Sequence, residues 1–135
     1  MFTSHNTAGE GRYAAVIGAY GRAAAACAVF GAVYERFSHG VYSRFMIGAF
    51  AVPLLLGALP FFLLRKAGKP FPGALPADLI HAGAAALTVG SITRGVLDIY
   101  GTTNSLVLVY WLAGGALTSA GWVLTALRAR RNSKA

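Results

Sequence analysis

The sequence predicts an all-α integral membrane protein, a four-helix bundle with four transmembrane helices and both termini cytoplasmic. Three observations carry this. The 135-residue chain is 56% hydrophobic but only 12% charged, against about 25% charged residues in an ordinary soluble domain. Apolar stretches near bilayer length recur four times, and each crossing needs about 20 residues. No alternating ten-residue strands of a membrane barrel are present, and in lipid a lone segment must satisfy its own backbone, which a helix does.

The length allows a single membrane domain, residues 1–135. The spans are expected at about 13–37, 42–64, 79–100 and 105–127. The first span has two registers. If it begins at Tyr13, Arg22 falls near mid-membrane at a cost of roughly 3 kcal/mol. If it runs from Gly18 to Phe37, Arg22 lies near the cytoplasmic end and snorkels. The second register is favoured. The second span contains Pro53 and Pro60, which should bend it. Pro70, Pro72 and Pro76 punctuate the following loop, and Asp78 is placed to cap the third helix. Gly101 suits a helix C-terminus, and Asn104 or Ser105 the next N-cap.

Orientation follows from the basic residues. Arg65, Lys66 and Lys69 fill the second connection, and Arg128, Arg130, Arg131 and Lys134 the tail. The connection from Gly101 to Asn104 carries no charge. The positive-inside rule therefore puts both termini and the second connection in the cytoplasm, with a bacterial cytoplasmic membrane as the expected location. Arg36 and Arg44 are a counterweight on the outer side, partly offset by Glu35. The formal net charge of +8 is absorbed by this topology, so no nucleic-acid partner is expected. The N-terminus lacks the basic start, apolar core and cleavage site of a secretory signal.

Two seams of small residues stand out. Ala14, Gly18, Gly21, Ala25, Ala28, Ala32 and Glu35 alternate four and three apart, and Ala84, Thr88, Ser91, Gly95 and Asp98 keep the same rhythm. Small residues on one face let membrane helices approach closely. The fourth helix has its own stripe of Gly114, Thr118, Gly121 and Thr125. Gly18, Gly21, Ala25, Ala28, Ala32, Gly95, Gly114 and Gly121 are the expected helix-packing residues. Glu35 and Asp98 close their seams in phase, nine heptads apart, which hints at two related hairpins. A chance match in a chain rich in Gly and Ala explains the phase as well.

Glu35, His39, Arg44, Arg94, Asp98, Tyr100 and Asn104 all fall near the outer end and form the candidate binding cluster. Arg94 and Asp98 are four apart and can pair; Glu35 is placed to face Arg94 or Arg44. The bland alternative is a solvated ion-pair network that pins helix ends. No catalytic residues, metal site or cofactor is assigned. His39 and His81 belong to opposite ends, so an intrachain bis-histidine haem is not expected; His81 reads as an interfacial residue. Cys27 is the lone thiol and reads as packing. Besides the lipid bilayer, the expected partner is a second copy or a larger membrane protein. Two functions stay open: handling a small polar solute or ion at the outer cluster, or serving as a non-catalytic accessory or assembly subunit. An enzyme is disfavoured because no nucleophile–base pair is visible.

Overall fold

The computed structural model describes residues 2–133, with the side chains of residues 9–131. Met1, Lys134 and Ala135 lie outside the described residues, so the expectations for the chain ends rest on their neighbours. The described chain is helical, joined by short turns. The first helix is Phe2–Arg36, the third Ala74–Tyr100 and the fourth Val107–Ser133. The second span, Arg44–Lys66, is built from shorter pieces. All four are long and apolar enough to cross a membrane.

The helix ends follow local chemistry. The third helix starts before Leu79 because Pro76 sits in its first turn, where a missing N–H is harmless. Asp78 therefore lies inside the helix, and the extended Gly73 (φ −60°, ψ 166°) takes the capping position instead. Gly101 (φ 77°) ends this helix in the left-handed conformation, its N–H directed at the carbonyls of Leu97 and Asp98. Asn104 Oδ1 accepts from the Leu106 N–H at 2.9 Å and opens the fourth helix.

Pro53 and Pro60 flank an irregular stretch of the second span. Between them lies a π-helical turn, Leu54–Ala58, in which the Leu59 N–H bonds the Leu54 carbonyl five residues back. Pro60 follows with no N–H to bond, so the widened turn leaves no stranded donor there. This irregularity has no counterpart in the continuous fourth helix, so the two hairpins are not alike.

Packing is tightest between the third and fourth helices. A Cβ on Gly83 would lie 2.8 Å from the Gly114 carbonyl oxygen. One on Gly121 would lie 2.8 Å from the Pro76 carbonyl oxygen. The third-helix seam is also a packing face: Ala84, Ser91 and Gly95 are buried, and a Cβ on Gly95 would meet Met46 Cβ at 2.8 Å. Gly95, Gly114 and Gly121 thus let backbones approach closely.

The first-helix seam is not covered within this chain. Gly21, Ala25, Ala28 and Ala32 are exposed and Gly18 is half-buried. The helix packs instead through Tyr13, Ala24, Cys27 and Gly31. Large anchors set this rotation. Tyr13 packs on Phe61 and Ile80 in the core, and its hydroxyl lies 2.9 and 3.0 Å from the Lys69 and Pro70 carbonyl oxygens, to which it donates. Aromatic area outweighs a small-residue face when both compete for one neighbour.

These contacts also sort the ends of the bundle. Glu10 pairs with Arg65 at 2.7 Å, and Arg128 reaches Gly73. The segments next to both termini therefore share one end with the second connection. The first and third connections form the opposite end, here called the loop end.

Candidate functional site

Ser43 organises the loop end. It is extended (φ −116°, ψ 129°), precedes the second span as its N-cap and is only 2% exposed. Its N–H donates to Glu35 Oε1 at 3.0 Å. Its hydroxyl donates to Asp98 Oδ2 at 2.9 Å and accepts from the Phe45 N–H at 3.2 Å. Asp98 Oδ1 completes the chain by accepting from Arg94 Nε at 3.0 Å. The Arg94 guanidinium lies 5.7 Å from the Phe45 ring centre, within cation–π range.

Glu35, Asp98 and Arg94 thus meet, but through Ser43, and Glu35 bonds the Ser43 main chain rather than Arg94 or Arg44. Ser43 had one sequence signal: a serine just before an apolar span is a preferred N-cap. Glu35 Oε2 is buried with no hydrogen-bond partner among the described residues. The network therefore keeps one buried acceptor to spare.

The other candidate residues do not join this network. His39 is exposed, has a positive φ of 58°, and its Nδ1 lies 3.1 Å from the Phe37 carbonyl oxygen. Arg44 is exposed. Tyr100 is 80% exposed and borders a recess of about 630 Å³ lined by Phe30, Tyr34 and Phe37. Asn104 borders a different cleft of about 310 Å³, with Arg94, Ser105, Phe45 and Trp111. The single expected cluster is therefore three features: a closed network, an aromatic recess and an Arg94–Asn104 cleft.

A further polar pair lies inside the bundle. Tyr20 Oη and His81 Nδ1 are 2.5 Å apart, with Phe61 stacked on the imidazole at 5.5 Å. His81 is thus half-buried and paired with Tyr20. Tyr20 carried no motif signal, since its partner is sixty-one residues away.

Arg22 is the remaining charge within a span. It is exposed and forms no ion pair among the described residues. It lies nine residues beyond Tyr13, about 13 Å along the axis. Its guanidinium turns back along the helix, so that a Cβ on Gly18 would lie 3.5 Å from Nη1.

Fold and composition define an integral membrane protein of four helical spans. No protein-family model, curated protein or solved structure matches the chain.

Proposed function

We propose that the protein is a non-catalytic accessory subunit that docks on a larger membrane protein through the free side of its first helix. The observation that carries this reading is Arg22. Tyr13, Tyr20, Ala24, Cys27 and Gly31 share the packed side of that helix. Arg22 lies on the opposite side with Ala15, Gly18, Ala25 and Val29, all exposed except the half-buried Gly18. Only 11% of this span's apolar window is buried, against 39% for the third helix. A charged side chain inside a span usually faces a bundle interior or a partner, and the small residues around Arg22 permit close approach.

Three of the chain's four acids are engaged elsewhere. Glu10 pairs with Arg65, Asp98 with Arg94 and Glu35 with Ser43, while Asp78 sits at the start of the third helix. Two-fold self-association on this side would set like patches together, Arg22 near its copy. The charge therefore favours a different chain with an intramembrane carboxylate over a second copy. In keeping with the basic residues at the end shared by the termini, we place that end in the cytoplasm of a bacterial cell.

The test is a photo-crosslinker at Ala25 in native membranes. The expected product joins a distinct membrane protein, and Arg22→Gln abolishes it while leaving the thermal midpoint unchanged. A product near 28 kDa, twice the 14.0 kDa chain, would replace this reading with self-association. Products with lipid alone would remove it.

The Arg94–Asn104 cleft supports a second reading, handling of a small polar solute or anion at the outer face. It offers one cation, an amide and a hydroxyl against two aromatic walls. Solute binding lost in Arg94→Gln but retained in Arg22→Gln would favour it.

A further inference from the structure

Between the first and third helices lies a cavity of about 430 Å³, open toward the lipid side and lined by Val16, Ala19, Ala23, Pro53, Ala84 and Ala85 around the Tyr20–His81 pair. This volume falls within the range of small-molecule sites. The alanines leave the space open. The π-helical turn after Pro53 brings Gly57 under the Tyr20 ring, where any Cβ would collide with it, so Tyr20 can lie against the second span and still reach His81. Turns of this kind recur at functional sites.

The polar accounting is unbalanced. Thr88, also on the wall, donates its hydroxyl to the Ala84 carbonyl at 2.7 Å and has no proton left to offer. Tyr20 and a neutral His81 share two protons, and their mutual bond uses one. In one tautomer the His81 Nε2–H remains unspent; in the other it is the Tyr20 hydroxyl proton. An unsatisfied donor in an apolar setting is costly, so a ligand supplying an acceptor oxygen would complete the cavity. The pair lies seven residues beyond Tyr13, about 10 Å along the axis from the level of the Lys69–Pro70 loop. The ester carbonyls of a phospholipid stay at the interface, whereas a carbonyl on a wholly apolar body can lie at this depth.

We propose that this cavity binds a carbonyl compound dissolved in the membrane interior, of the quinone class, through a hydrogen bond from the Tyr20–His81 pair. The test uses the full chain carrying Trp111→Phe in lipid nanodiscs, with Trp122 as reporter because it packs 5.7 Å from Phe61, the ring stacked on His81. Titration with decylubiquinone should quench Trp122 saturably, and decylbenzene, which lacks the carbonyl, should not. His81→Phe keeps a ring against Phe61 and should weaken binding about threefold to tenfold, the worth of one hydrogen bond. Ala85→Phe fills the cavity while keeping both members of the pair, should abolish saturation, and decides the matter if His81→Phe does not fold. Quenching that never saturates, or is unchanged in Ala85→Phe, overturns the proposal. Saturation in ether-lipid nanodiscs but not in ester-lipid ones also overturns it, by giving the donor to lipid ester carbonyls.

Discussion

Replacing Ser43 by alanine tests whether the loop end is one network. The hydroxyl makes two bonds, donating to Asp98 and accepting from the Phe45 N–H. Its loss removes a charge-assisted bond worth about 1.5–3 kcal/mol and an N-cap worth about 1 kcal/mol. Asp98 is only partly exposed, with a side chain 26% accessible, so water recovers part of the first contribution. The expected net loss is about 2 kcal/mol. The Ser43 N–H survives the change, and with it the bond to Glu35. Ser43→Ala should therefore couple strongly to Asp98→Asn, by about 0.5–3 kcal/mol, and add to Glu35→Gln within about 0.5 kcal/mol. The assay is a double-mutant cycle on unfolding by sodium dodecyl sulfate in mixed micelles. Additivity of Ser43→Ala with Asp98→Asn would refute the reasoning and leave Arg94–Asp98 as an isolated helix-surface ion pair.

Three further outcomes are expected. Gly83→Ala should destabilise by about 1–3 kcal/mol through overpacking against the Gly114 carbonyl, whereas Gly21→Ala, with nothing within 4 Å, should stay within about 0.5 kcal/mol; the same mixed-micelle unfolding compares them. Gly57→Ala should push the Tyr20 ring away and break the Tyr20–His81 bond, seen as loss of the tyrosine hydroxyl proton coupling in nuclear magnetic resonance and a lower thermal midpoint. A cysteine replacing Ala67 in a Cys27→Ala background should resist an impermeant thiol reagent added to intact cells and react after lysis; labelling from outside would invert the orientation proposed above.

Much of the architecture was legible because lipid imposes few choices. Runs of apolar residues, Gly101 at a helix end and Asn104 at a helix start are local signals, and they fixed the order of helices and turns. The rotation of each helix was harder to read. The rhythm of Gly18, Gly21, Ala25 and Ala28 matches that of Ala84, Ser91 and Gly95, yet only the second set is covered. The difference arises from Tyr13 and Tyr20, whose partners lie fifty-six to sixty-one residues away. Periodicity records which residues share a face, and a neighbour decides whether that face is used. The site was legible to the same depth. Acids and a base at one end were visible, while the serine that joins them belongs to a turn with no periodic pattern.

The placement of polar atoms separates two kinds of surface within this bundle. Within the Ser43 network nearly every polar group is committed: Ser43 takes both acids, and Arg94 takes the remaining oxygen of Asp98. Such a network holds connections together and offers an incoming solute little beyond the Glu35 Oε2 acceptor and the outer edge of Arg94. Along the spans some polar groups stay uncommitted, among them the Arg22 guanidinium on the free side of the first helix and one proton of the Tyr20–His81 pair. An uncommitted polar group is costlier in hydrocarbon than at a wet helix end, because no water shares the burden. The first helix carries both Arg22 and Tyr20, on opposite sides, and is the least covered of the four spans. It is therefore the element on which recognition by another membrane component has most to act. A change at Arg22 should alter association and leave ligand binding beside the Tyr20–His81 pair intact, and a change at Ala85 should do the reverse.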